Sequence, residues 1–273
     1  MKKITSLIFY KVKRLDFFLF LLLFWEVFAR WIYPHFEPQA SIFFPPLSKV
    51  LKELWQLALN GILAEHILAS TRRVLIGFSL ASFSAIILGF FLGVSPKAYQ
   101  QLKVFCQIFK PIPPVAWIPL SLLWFGITEA QQYFIIFIGV FFLVLAHTLD
   151  GVDSVSLVHK QAAKTLGSNG LMFVRQILFP AAFPKIMFGL HSGLAYSWFI
   201  IVAAEFVSAS SGLGYLILEG RNVIITERIF AGMITIGLVN FIFYFLLIKL
   251  TKIVMPWQVI NTGEDRLYGK NNI

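Results

Sequence analysis

Few side chains in this sequence are spaced for chemistry, and those few define what the chain can do. There is no phosphate-cradling Gly-x4-Gly-Lys-Ser/Thr run. Gly269-Lys270 is followed by Asn271 and lacks the earlier glycine, so ATP, if used, must be hydrolysed by another subunit. The five histidines are scattered, no His-Glu-x-x-His occurs, and Cys106 is the single cysteine, expected as a small buried apolar residue. That excludes an intrachain disulfide and a cysteine-based metal site. No serine sits in a recognisable nucleophile turn. What remains are ionisable groups embedded in apolar stretches. Glu26 and Arg30 are one helical turn apart and are expected to pair structurally. His147 and Asp150 could relay a proton but read better as satisfied polar groups at a helix end, and His66 reads as a polar boundary residue. Glu205 reads as the most exposed-looking functional candidate in the fifth span. A carboxylate in a pathway repels an anion, which favours packing or gating near the outer mouth.

The elements that must position these groups are membrane spans. The chain has 273 residues, 58% hydrophobic and 13% charged, with a mean hydropathy of +0.80. Soluble domains carry about a quarter charged residues, so an all-α, polytopic membrane helix bundle is expected. The net charge of +10 is read as topology-setting flanks rather than a nucleic-acid surface, and thirty Phe and seven Trp suit lipid contact. Six spans are expected: Leu15–Tyr33 (retained, not a cleaved signal), Val74–Ser95, Val104–Phe125, Tyr133–Leu149, Ile186–Val207 and Ile229–Met255, with Trp257 as an interface anchor.

Between the first two spans, Leu47, Val50, Leu51, Leu54, Leu57 and Ala58 recur at helical spacing after Pro45-Pro46. They predict a short interfacial helix ending at Gly61. Arg72-Arg73 are expected to snorkel. Gly89-x3-Gly93 offers a notch for close helix packing. The third span contains Lys110, Pro111, Pro113, Pro114 and Pro119, so it must be bent and face protein or a cavity. On the fifth span Gly189, Gly193, Ser197 and Ala204 form a small-residue stripe, which either packs a helix tightly or lines a pathway. With both termini inside, the inner segments hold fifteen Lys and Arg and the outer ones four, which orients the bundle. The expected organisation is 1–66 (cytoplasmic tail, first span, outer helix), 67–255 (core, with an inner loop 151–185) and 256–273 (cytoplasmic tail).

The longest inner loop holds Gln161–Pro180, QAAKTLGSNGLMFVRQILFP. A helix-forming run stops at Gly167, which suits a left-handed cap, and a second amphipathic run, Leu171–Leu178, is expected to end before Pro180. The spacing Q-A-A-x3-G-x9-I-x-x-P resembles the cytoplasmic EAA loop of permease subunits of binding-protein-dependent ABC importers, type-1 fold. Lys110–Gly126, Ala203-Ala204-Glu205 and Ser211–Tyr215 resemble the branch that handles nitrate, taurine and aliphatic sulfonates. The departure is Gln161, where the family usually has Glu. Glutamine keeps the reach and loses the charge.

The resemblance implies an inner-membrane permease subunit that couples a small solute, anionic in sulfonate-, nitrate- or taurine-like cases, to a separate ATPase. Coupling would fall to Gln161, Ala162, Ala163, Leu166, Gly167 and Pro180, with Ala162, Ala163 and Gly167 as a knob and Leu166 in an apolar socket. Pathway candidates are Gly189, Gly193, Ser197 and Glu205. Implied partners are ABC ATPase subunits, an extracytoplasmic substrate-binding protein, a second permease copy and membrane lipid, with no nucleic acid, and no cofactor or metal held by this chain. The setting is the bacterial inner membrane, with both termini cytoplasmic. The alternative is a self-contained secondary transporter or channel, against which stands the lack of an evident internal repeat. The solute is not encoded legibly.

Overall fold

A computed structural model describes residues 16–36, 40–168 and 170–255, and every described regular element is helical. The basic N-terminal residues, the C-terminal tail and Trp257 lie outside the described residues. Five helices are long and apolar enough to cross a membrane, and a pair bent by 86°, Lys97–Phe109 with Pro114–Phe125, forms a broken sixth span or a re-entrant loop. The bend expected from the prolines of the third apolar segment is therefore observed. Helix α4 (Pro96–Phe109) stops where Pro111 and Pro113 supply no N–H. A 3-10 turn, Pro114–Trp117, then leads into α5 (Ile118–Phe125).

The chain divides into two compact units. The first comprises Met1–Arg72 and Val202–Gly237. Its helices are α1 (Asp16–His35), α2 (Leu47–Leu59), the start of α3 (Ile62–Val94), the end of α9 (Phe179–Ser208), α10 (Leu213–Asn222) and the start of α11 (Thr226–Val254). Helix α2 is the predicted amphipathic helix. Val50 and Leu57 are buried while Leu51, Trp55 and Leu59 are exposed, and Gly61 closes it at φ +75°. Glu26 and Arg30 pair at 2.6 Å as expected. The Glu26 carboxylate also accepts from the Ser48 N–H and hydroxyl, each at 3.0 Å, so α1 satisfies part of the orphan first turn of α2. Arg228 binds Glu53 at 3.0 Å and Glu219 at 3.3 Å, joining α2, α10 and α11.

The second unit comprises Arg73–Ile201 and Leu238–Ile273, and α6 (Glu129–Asp153) is its spine. Eleven of its residues are buried, among them Ile135, Ile136, Gly139, Val140, Val144, Thr148 and Val152. Glycines let α3 and α9 approach it closely. A Cβ on Gly189 would lie 2.7 Å from that of His147, and Gly89 and Gly93 sit on Thr148 and Val152. Arg73 departs from expectation. Its residue is 3% exposed and its guanidinium lies 3.6 Å from the Glu129 carboxylate, which also accepts from the Tyr133 hydroxyl. A counter-ion within this unit holds Arg73 inward, where snorkelling had been expected.

Candidate functional site

The inner elbow begins with α7 (Leu157–Thr165). Leu166 N–H donates to Ala162 O, Gly167 takes φ +79°, and Ser168 N–H donates back to Ala163 O at 2.9 Å. This is a glycine-centred helix stop, in which orphan carbonyls are met by the chain's own backbone. The return begins at Gly170 (φ +56°) with α8 (Gly170–Phe173) and a π turn, Val174–Leu178. The second run does not end before Pro180 as the sequence suggested. The π turn passes directly into α9, with Phe179 N–H donating to Val174 O. Pro180 falls in the first turn of α9, where a missing N–H costs little because the widened turn has already shifted the hydrogen-bond register.

Exposure sorts the coupling candidates. Gln161, Ala162, Gly167 and Pro180 are exposed and Leu166 is 85% exposed. Ala163 is buried at 3%, so its methyl belongs to the elbow's interior rather than to a contact surface. Val152, Val155, Leu178, Ala182 and Ile186 form one buried cluster with Phe173 and Val174 packed on it. Lys185 Nζ donates to Asp150 O at 3.0 Å. The elbow thus presents an apolar tip on an anchored base. His147, beside it on α6, packs its ring on Phe188 with centroids 5.1 Å apart.

The pathway candidates separate. Gly189 meets His147, and Gly193 meets Val140 and Val144, so the packing half of the stripe's two readings describes this conformation. Ser197 Oγ donates to Gly193 O and is fully buried. Glu205 lies in the first unit and is 0% exposed, against the exposure expected from the sequence, because hydrogen bonds from neighbouring helices hold its carboxylate inside. Its two carboxylate oxygens accept from Ser70 Oγ and from Gly214 N–H, each at 2.7 Å. Ser70 Oγ in turn accepts from Leu213 N–H at 2.8 Å, and His66 Nδ1 accepts from Gly212 N–H at 2.9 Å. Three consecutive N–H groups at the start of α10 are therefore capped by side chains from α3 and α9, with an anion at the positive end of the helix dipole. Gly214 is required here, since its Cβ would lie 2.9 Å from Glu205 Cβ and from Val202 O. His66 is 7% exposed and ligates the backbone, so it is not a boundary residue.

Sequence reasoning named Glu205 and missed Ser70 and His66. The available signal was a pair of polar residues at i and i+4 on apolar α3. It went with a helix whose own start, Ser211-Gly212, offers no capping side chain.

Two cavities flank the broken span in the second unit, of about 300 and 310 Å³. The first is lined by Tyr99, Cys106, Lys110 and Asp150 among others, and the second by Lys110, Pro114, Gly139, Ser192 and Tyr196 among others. Cys106 is half-buried at a cavity wall rather than a core residue. No cluster of metal-ligating side chains occurs among the described residues.

Five apolar helices, a proline-bent helix pair and an anchored inner elbow define a polytopic membrane protein. Residues 85–258 match the family of binding-protein-dependent transport system inner membrane components, and the chain belongs to that family. A putative ABC transporter permease protein of Methanocaldococcus jannaschii is 36% identical over 224 residues, covering 80% of this chain and 81% of its own. The taurine transport system permease protein of Escherichia coli is 31% identical over 224 residues (80% and 82%). The nitrate import permease protein of Synechocystis is 31% identical over 221 residues (78% and 80%). The protein is thus an ABC importer permease, a transport subunit rather than a member of an enzyme family.

Proposed function

We propose that this chain forms the translocation pathway of an importer as one of two identical copies. Its elbow docks into a separate ATPase, which alone binds ATP, and an extracytoplasmic binding protein delivers the solute from the other side. The observation that carries this reading is the elbow. Leu166 is 85% exposed at the tip of a segment whose base is buried. An isolated large apolar side chain on a preorganised stop suits a socket in a partner. ATP-driven movement of the gripped tip would be passed to α6 and α9 through the cluster beneath it, as a rigid-body switch requires. Gln161 would contribute hydrogen bonds where the family's usual Glu contributes a charge. The fifteen-to-four distribution of basic residues supports placing the elbow and both termini in the cytoplasm, with the bundle in the inner membrane. The taurine and nitrate relatives support a small sulfonate or oxyanion as solute.

The test is co-purification from detergent-solubilised membranes, comparing wild type with Leu166→Glu and Ala162→Glu. An ATPase retained by wild type and reduced at least about tenfold by either variant is the expected outcome, since loss of one apolar anchor costs ~2 kcal/mol or more. Equal retention by all three would remove the elbow from the docking surface.

A further inference from the structure

Lys110 stands in the four-residue break of the sixth span, between Phe109 and Pro114. A cation set between apolar segments is costly in a membrane unless it finds a partner, and the fold elsewhere pairs its cations: Arg30 with Glu26, Arg73 with Glu129, and Arg228 with Glu53 and Glu219. Lys110 is exposed on the single chain. Among the described residues the Lys110 side chain has no such carboxylate and no hydrogen-bond acceptor. It lines both of the cavities that flank the break.

The two cavities differ in what faces Lys110. The first carries the Asp150 carboxylate. The second carries Ser192 and Tyr196, one helical turn apart on α9, and no acidic group. Neither hydroxyl is engaged by another described residue, and the Tyr196 ring stacks on Phe199. Lys110, Ser192 and Tyr196 therefore line one space of about 310 Å³ whose remaining wall includes Ile112, Pro114 and Phe142. Pro111, Pro113 and Pro114 contribute no N–H, so recognition in this space depends on these three side chains. Charge plus hydroxyl donors in a mostly apolar cleft is a site for a small oxyanion.

We propose that Lys110, Ser192 and Tyr196 form an anion station in the pathway, one that takes an oxyanion or sulfonate head group, with the apolar wall accepting a short organic tail. The proposal rests on the importer reading for its role in transport, though not for binding itself. Lys110 supplies attraction, and the hydroxyls supply direction. Asp150 in the other cavity disfavours an anion there, so occupancy is confined to one side of the lysine.

The test uses the full chain in nanodiscs of zwitterionic phosphatidylcholine, melted in a concentration series of nitrate, ethanesulfonate and taurine at constant ionic strength. Ligand that binds only the folded state raises the melting temperature. A saturable rise of roughly 2–4 °C is expected for wild type. It should be lost in Lys110→Gln, kept in Lys110→Arg and weakened several-fold in half-saturating concentration by Tyr196→Phe. The same rise in Lys110→Gln, or none in wild type, overturns the proposal. So does a wild-type response abolished by including phosphatidylglycerol, which would assign Lys110 to a lipid head group. Because no ATPase is present, this result is independent of co-purification. A Lys110-dependent rise in a chain that retains no ATPase would sink the proposed docking of an ATPase on the elbow and leave the anion site standing.

Discussion

Two short helices of this protein end in opposite ways. The start of α10 is closed from outside. Glu205, Ser70 and His66, from two other helices, take its Gly212, Leu213 and Gly214 N–H groups, and all three side chains are buried. The end of α7 is closed from within, by Gly167 at φ +79° and the Ser168-to-Ala163 backbone bond, and Leu166 at its tip is left uncovered. The first arrangement makes fold stability depend on polar side chains distant in sequence. The second makes almost no demand on the rest of the chain and frees its outer residues for a partner. A permease needs both, a part that must not come apart and a part that another protein can hold.

The largest effect on stability is therefore expected at Glu205. Glu205→Ala strands the Gly214 N–H and removes the acceptor of the Ser70 hydroxyl, both in a buried site. Each abandoned buried donor costs about 1–3 kcal/mol, so a loss on the order of 2–5 kcal/mol is expected in chemical or thermal unfolding in nanodiscs. Amide exchange at Leu213 and Gly214 should accelerate with it. Glu205→Gln keeps an acceptor and should lose less. Unchanged unfolding in the alanine variant would mean that the cap is not what holds α10.

At Gly167 the expected effect on folding is smaller and the effect on coupling larger. A Cβ there meets no atom within 4 Å, so the penalty is purely conformational, about 1–2 kcal/mol for a β-branched residue at positive φ. Gly167→Val should insert and melt near wild type while ATP hydrolysis by the assembled transporter proceeds without uptake. Normal coupled uptake by this variant would contradict the elbow's role as a lever.

How much of this was readable follows the same division. The elbow was legible because its causes are local. A helix-forming run, a glycine stop and the Gln-Ala-Ala spacing lie within twenty residues, and the structure departs where Ala163 turns inward and where Pro180 enters α9 through a π turn. The broken span was legible for the same reason, since prolines act on their own backbone. The cap was half legible. Glu205 stood out as a carboxylate in an apolar span, but its partner Ser70 is 135 residues away, and His66 is 146 residues from the Gly212 N–H it caps. No periodicity in one helix reports what a different helix lacks. Arg73 failed for that reason too, because its counter-ion, Glu129, begins another helix.

The smallest effect sharpens the comparison by holding the chemistry and changing the exposure. Glu26 does for α2 what Glu205 does for α10: its carboxylate accepts from the first-turn Ser48 N–H at 3.0 Å. But its side chain is 24% exposed, and its ion-pair partner Arg30 is 51% exposed. Solvent can replace what is removed, and salt screens what remains. Glu26→Gln, which keeps the acceptor and loses the charge, should cost no more than about 0.5 kcal/mol, and less at high salt. Melting the Glu26→Gln and Glu205→Gln variants side by side at low and high salt checks this. A large, salt-insensitive loss at Glu26 would show that water does not reach it, and that burial is not what separates the two caps. A small loss that salt erases, beside a salt-insensitive one at Glu205, would assign the difference between them to burial.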